Sequence, residues 1–128
     1  MPYYYNKMTS VPFEVALEQV IGALKAEGFG VLTTIDVKET LKNKIGADFR
    51  KYKILGACSP SHAHRALLCE DKVGVFLPCN VVVQEWEDGK VEIAAVSPKA
   101  SMMAIDNPSL LPVAEEIEQK MKRIIDTL

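Results

Sequence analysis

Residues 73–97 read VGVFLPCNVVVQEWEDGKVEIAAVS, and this stretch decides the fold. Its first half alternates apolar side chains with others, which predicts a strand over Val73 to Glu87 with one buried face. The apolar positions are Val73, Val75, Leu77, Cys79, Val81 and Val83. Pro78 should break this strand into two pieces, because proline cannot donate to a central ladder. Asp88-Gly89 predicts a two-residue hairpin turn into a second strand, Lys90–Ser97, and therefore an antiparallel sheet.

The residues before this hairpin alternate between strand and helix patterns. Aromatic and β-branched runs predict strands, and apolar spacing of three and four residues predicts helices. Gly28 and Gly46 are expected to end the first two helices, and Asp36 to begin the second. The predicted order is strand Tyr3–Met8, helix Pro12–Glu27, strand Phe29–Val37, helix Lys38–Lys44, strand Arg50–Cys58 and a helix from Ser59-Pro60 to Glu70.

The last helix is predicted to follow Asn107-Pro108. Its apolar seam is Leu110, Ala114, Ile117, Met121, Ile124 and Leu128. The opposite face carries Glu115, Glu116, Glu118, Lys122 and Arg123, and is expected to be solvated. The seam suits either the core or a dimer surface, since both need the same stripe. We therefore expect one α+β domain over residues 1–128, a single-layer mixed, mainly antiparallel sheet with helices packed on it.

The charge balance and the length of the apolar runs bear on which partners the protein can have. Fifteen basic and seventeen acidic residues give a formal net charge of −2, without the clustered basic excess of nucleic-acid-binding domains. No apolar run approaches the roughly 20 residues of a membrane span, and the N-terminus lacks the features of a signal peptide. We expect a cytoplasmic protein with no nucleic-acid or membrane partner, whose cysteines are reduced thiols.

The soft metal ligands crowd between positions 58 and 79. They are Cys58, His62, His64, Cys69 and Cys79. Their spacing matches no zinc-site pattern, because closed sites use close pairs of ligands. Metal binding through Cys58 and His62 is therefore the weakest hypothesis, and we expect no metal or cofactor.

Cys58 is a candidate reactive thiol. It directly precedes the predicted helix start at Ser59-Pro60, where unpaired N–H groups stabilise a thiolate. His62, about one turn further on, would add positive charge if protonated. The alternative is that Cys58 is a small buried apolar residue, as free cysteines commonly are. Trp86 is likewise either packing or the mark of a partner surface.

Two motifs carry a resemblance to a known family. Gly56-Ala57-Cys58-Ser59-Pro60-Ser61-His62-Ala63 and Gly74-Val75-Phe76-Leu77-Pro78-Cys79-Asn80-Val81-Val82-Val83 together resemble the bacterial and archaeal family called domain of unknown function 302. The resemblance implies a compact α+β fold and homodimers, and it implies no activity. A shared family site would involve Cys58, Pro60, Pro78, Cys79 and Asn80.

These observations predict a binding domain, with no catalytic residue assigned. A strand-to-helix junction beside a proline-broken strand leaves backbone donors for a small polar ligand. We expect a homodimer that binds such a ligand, or a protein partner, through segments 56–62 and 78–80. The predicted ligand-binding residues are Cys58, Ser59, Pro60, His62, Cys79 and Asn80. The alternative is a thiol-redox or sulfur-handling protein that uses Cys58, with Cys79 as its partner.

Overall fold

A computed structural model describes residues 2–128 of the chain. Five strands and five α-helices follow one another along these residues, joined by turns and short 3₁₀ segments. They are β1 (Tyr4–Thr9), α1 (Phe13–Ala26), β2 (Gly30–Asp36), α2 (Val37–Ile45), β3 (Tyr52–Cys58), α3 (Pro60–Cys69), β4 (Cys79–Glu85), β5 (Val91–Val96), α4 (Pro98–Ser101) and α5 (Leu111–Thr127). The strands form a sheet in the order β1-β5-β4-β3-β2, and each neighbouring pair is antiparallel. The predicted α+β class with a mainly antiparallel sheet is confirmed.

One face of the sheet is covered by α1 and α5, and we call it the packed face. Alternate residues of the three central strands are buried there: Leu55, Ala57, Cys79, Val81, Val83, Val91, Ile93 and Ala95. The helices contribute their apolar stripes to the same core, as period-2 and period-3.6 patterns require when a sheet packs on helices. None of the helices in residues 2–128 combines the length and the apolar character that crossing a membrane requires.

The predicted helix ends at Gly28 and Gly46 are confirmed, and Gly89 lies in the predicted hairpin turn. That turn has three residues, 87–89, and not the predicted two, because the Trp86 backbone N–H donates to the Lys90 carbonyl at 2.8 Å. Gly28, Gly46 and Gly89 have φ values of 86°, 67° and 85°, the left-handed region that glycine enters without a steric penalty. The Asp36 side chain accepts a hydrogen bond from the Glu39 backbone N–H at 3.0 Å and so caps α2. Each of these residues ends or begins an element through its own backbone conformation or side chain. The sequence alone therefore predicts where they act.

The first half of the predicted strand over Val73 to Glu87 is wrong. Val73–Phe76 forms a 3₁₀ turn, and β4 begins only at Cys79. Cys79 pairs with Ala57, one residue before β3 ends, so residues 73–77 have no strand beside them to pair with. Val75 is accordingly 80% exposed. The alternation of Val73, Val75 and Leu77 therefore reflects a connection that crosses from α3 back to the sheet.

The apolar seam of α5 lies in the core of the single chain. Its residues from Leu110 to Ile124 are buried, and Leu128 is partly buried against them. This settles the alternative left open by the sequence, since a stripe buried within one chain is not available to a second copy. The short helix α4, capped by the Ser97 side chain, was not predicted.

Candidate functional site

Four of the predicted ligand-binding residues surround one very small cavity. Cys58, Ser59, His62 and Cys79 line a space of about 10 Å³ where β3 runs into α3. A space of this size holds one water molecule at most. Pro60 is exposed in the first turn of α3, and Asn80 does not line the cavity. A ligand at this junction would have to displace α3 or the chain around Pro78.

His62 lies at this junction, and each of its two ring nitrogens has a partner. Its Nδ1 lies 2.8 Å from Ser59 Oγ, and its Nε2 lies 3.5 Å from Oε1 of Glu116 on α5. Serine at this position usually accepts a hydrogen bond from a backbone N–H of the first helical turn. The Ser59 side chain makes no such cap hydrogen bond, although α3 begins directly after it. Glu116 in turn accepts two hydrogen bonds from Arg65, at 3.1 and 2.7 Å.

These contacts join α3 to α5 through the buried imidazole ring of His62. The hydrogen bond from Arg65 holds the pKa of Glu116 below its ordinary value, so that carboxylate stays ionised beside His62. Serine, histidine and carboxylate also form catalytic triads, which need open space for a substrate beside the serine. Ser59 is buried, so the arrangement stabilises the helix pair in this structure. Glu116 lies far along the chain, and no local pattern indicates it.

The three thiols have different environments. Cys79 is buried in the packed face, Cys58 is partly buried and Cys69 is exposed. Burial, with a smaller contribution from Cys58, raises the pKa of the Cys79 thiol to about 11. His64 is exposed on α3. Among residues 2–128, no group of three or more Cys, His, Asp or Glu side chains is placed to hold a metal ion.

The other face of the sheet, which we call the bare face, carries side chains at three levels across the strands, of which the first two are continuous rows. Strand register fixes the rows, because directly paired residues point to the same side. The first row is Met8, Glu92, Gln84 and Tyr52, and the second is Asn6, Ala94, Val82 and Ile54. At the third level Tyr4 pairs with Val96, and Asn80 pairs with Gly56. The second row has the short side chains of Ala94 and Val82 at its centre.

A groove of about 400 Å³ follows from this pattern. Its floor is the short side chains, and its rim carries tyrosines, amides and one carboxylate. The lining residues are Tyr3, Tyr4, Tyr52, Asn80, Val82, Gln84, Glu92, Ala94, Ala95 and Val96. Of the predicted ligand-binding residues, only Asn80 is among them. Sequence alternation places Asn80, Val82 and Gln84 on one face, but strand order is needed to bring Tyr4 and Glu92 beside them.

Polar contacts hold the rim of the groove in place. Glu92 accepts hydrogen bonds from Asn6 Nδ2 at 2.8 Å and Trp86 Nε1 at 3.0 Å. Arg50 donates from Nε to Gln84 Oε1 at 2.9 Å, and its guanidinium carbon lies 4.3 Å from the centre of the Trp86 ring. Trp86 thus belongs to a polar cluster at the end of the groove.

Glu118 departs from its predicted position. The helical pattern places it on the solvated face of α5, but it is 3% exposed. Its carboxylate accepts hydrogen bonds from Ser97 Oγ at 2.9 and 2.8 Å, from the Lys99 backbone N–H at 3.1 Å, and from the Tyr5 hydroxyl. The hydrogen bond from Tyr5 to Glu118, together with burial, raises the pKa of Tyr5 to about 12. The donors come from three other parts of the fold, which the spacing along α5 does not show.

Comparison with known proteins agrees with this architecture. The family model described as "Domain of unknown function DUF302" matches residues 5–128. The chain belongs to the DUF302 family. A solved DUF302 structure, the uncharacterized conserved protein from Bacillus stearothermophilus, is similar at 33% sequence identity and a TM-score of 0.90. The match covers 98% of this chain and 98% of that one.

The family resemblance seen in the two sequence motifs is therefore confirmed over nearly the whole chain. No protein with a curated description matches the chain. The DUF302 relative is itself described as uncharacterized. The comparisons therefore give this DUF302 domain a family and a fold, but no ligand or reaction.

Proposed function

We propose that the protein is a binding domain that takes a small polar ligand in the groove of its bare face. The groove is the observation that supports this proposal: at about 400 Å³ it lies within the usual range of ligand sites, roughly 300–1,000 Å³. An apolar floor with a few polar groups on the rim is typical of such sites. The predicted junction site is much smaller, so ligand binding there stays a prediction that requires movement of α3 or its neighbours.

A thermal-shift screen with polar metabolites tests this proposal. A ligand that binds the native groove raises the unfolding temperature, because binding stabilises only the folded state. The variant Ala94→Met places a long side chain in the middle of the groove and should abolish the shift. Ile54→Met introduces the same side chain on the same face outside the groove and should leave the shift unchanged. A ligand whose effect survives Ala94→Met binds elsewhere and contradicts the proposal.

A second proposal concerns self-association. β2 is an edge strand, whose unpaired backbone groups favour pairing with another strand. Leu32, at an irregularity in the β2–β3 register, is 67% exposed, and Ile35 is also exposed. Ile45 of the adjacent α2 is exposed as well. Two copies related by a two-fold axis would pair these edges and cover the apolar side chains, which supports the homodimer expected from the sequence.

Sedimentation measurements at micromolar concentration test the dimer. The expected mass is twice that of the chain, and Leu32→Asp should reduce it to the monomer mass. Met8→Asp places the same charge on the other edge strand, β1, and should leave the dimer intact. A native chain that sediments as a monomer would reject this proposal without affecting the ligand groove.

A further inference from the structure

We infer that the groove of the bare face selects a small organic cation, through the carboxylate of Glu92 and the rings of Tyr4 and Tyr52, which line the same groove. This inference rests on the proposed function, because it names the class of ligand for the same groove. It depends on the charges, the free hydrogen-bonding capacity and the aromatic groups of the lining residues.

Among residues 2–128, Glu92 is the one charged side chain that lines the groove. In the described part of the chain its two hydrogen-bond donors are Asn6 and Trp86; both are neutral, and each donates to a different carboxylate oxygen. A carboxylate accepts about four hydrogen bonds, so both oxygens keep capacity. Within residues 2–128 no ion pair involves Glu92. A ligand ammonium or amidinium group would therefore be its ionic partner.

The nearby cation is engaged elsewhere. The guanidinium carbon of Arg50 lies 4.4 Å from the centre of the Phe49 ring, 4.3 Å from that of Trp86 and 5.7 Å from that of Tyr52. Its Nε donates to Oε1 of Gln84; that oxygen has a second lone pair, and the NH₂ group of Gln84 can also donate. Arg50 does not line the groove. An anionic ligand would consequently meet the charge of Glu92 in the groove lining, whereas the charge of Arg50 is already shared among three aromatic rings.

The remaining lining groups favour an organic cation. The faces of tyrosine rings attract ammonium and guanidinium groups, and Tyr4 and Tyr52 both line the groove. Val82, Ala94 and Val96 provide an apolar floor for the carbon skeleton of a ligand. A bare metal ion would find only one carboxylate there, whereas hard cations are usually held by six or more oxygen ligands.

Fluorescence titration tests the charge preference directly. Trp86 is the only tryptophan in the sequence, and its Nε1 donates to Glu92, so it reports events at that carboxylate. The probes are benzylamine, benzyl alcohol and benzoate, which share a ring and differ in charge. We expect benzylamine to bind at least about tenfold more tightly than benzyl alcohol, since a charge-assisted hydrogen bond replaces a neutral one. Benzoate should bind most weakly.

Two variants assign the preference to Glu92. Glu92→Gln keeps the side-chain shape and removes the charge, so it should bring benzylamine down to the affinity of benzyl alcohol. Glu87→Gln removes a carboxylate at the hairpin, outside the groove lining, and should keep the preference. Benzylamine that binds no better than the alcohol, or a preference that persists in Glu92→Gln, overturns the inference. The metabolite screen with Ala94→Met decides separately whether the groove binds ligands at all.

Discussion

At the scale of single residues, the three thiols differ most in their access to solvent. We predict that iodoacetamide at pH 8 modifies Cys69 first, Cys58 more slowly and Cys79 last. Cys69 is exposed, whereas Cys79 is buried and its raised pKa leaves almost no thiolate at that pH. Mass spectrometry of native protein over time gives the order. Labelling of Cys58 ahead of the exposed Cys69 would contradict it and would favour a thiol-redox function.

The same burial makes stability depend on pH in the alkaline range. The Cys79 thiol has an ordinary pKa of 9.0 and a pKa of about 11 in the folded chain. Below pH 9 both states keep the proton and this residue causes no pH dependence. Between pH 9 and 11 only the unfolded chain releases it, so the free energy of unfolding should fall by about 3 kcal/mol.

Urea unfolding at pH 8.5 and 10.5 measures this effect. Tyr5, whose pKa is raised from 10.0 to about 12, causes a further loss of stability between about pH 10 and 12, and so adds to the decline at pH 10.5. Comparison with Cys79→Ala therefore isolates the thiol: the decline should be smaller in that variant. Cys69→Ala is the matched control and should decline like the native protein. An equal decline in Cys79→Ala would show that another group causes the alkaline sensitivity.

At the scale of secondary-structure elements, the stability of α2 depends on the residues at its two ends. None of its residues is buried, so packing contributes little to it. Its stability comes from the Asp36 cap and the left-handed Gly46. We predict that Asp36→Ala destabilises α2 by about 1 kcal/mol and increases hydrogen exchange of its amides. Asp48→Ala removes an exposed carboxylate paired with Lys42 and should have a smaller effect.

Elements with local signals could be predicted from the sequence. Gly28, Asp36 and the Asp88-Gly89 turn act within a few residues, and the α5 seam repeats over several turns. Val73–Phe76 could not be predicted in this way, because its conformation depends on whether a neighbouring strand is available. Its alternation is too short to distinguish a strand from a turn that buries only Val73.

The candidate site shows the same limit more strongly. The sequence places Cys58, Ser59 and His62 together, since they are close along the chain and on adjoining elements. It could not place Glu116 beside His62, or Glu92 beside Gln84, because helix packing and strand register determine those pairs. The groove exists only once Ala94 and Val82 lie side by side across two strands. Long-range register is therefore the information that the sequence patterns lack.

At the scale of the whole molecule, Glu118 connects elements that are distant in sequence. Its carboxylate binds Tyr5 on β1, Ser97 at the end of β5 and the backbone of α4. We predict that Glu118→Ala lowers the free energy of unfolding by about 3 kcal/mol, because it leaves buried donors without an acceptor. Glu115→Ala, on the same helix, removes an ion pair with Lys99 and should lower it by less than about 1 kcal/mol. Urea unfolding compares the two.

The position of the amides that exchange faster in Glu118→Ala distinguishes the Glu118 hydrogen bonds from ordinary core packing. Within residues 2–128, β1 pairs with the rest of the sheet only through β5, and two side chains join it to α5 and its C-terminal end: Tyr5 donates to Glu118, and Lys7 donates to the Leu128 carbonyl. Hydrogen exchange in Glu118→Ala should therefore rise most at the β1 amides, while β3 and β4 at the centre of the sheet change only with global stability. A uniform rise across all strands would mean that Glu118 stabilises the core as a whole. A rise confined to β1 would show that one buried carboxylate holds the edge strand, and with it the Tyr4 wall of the groove, on the fold.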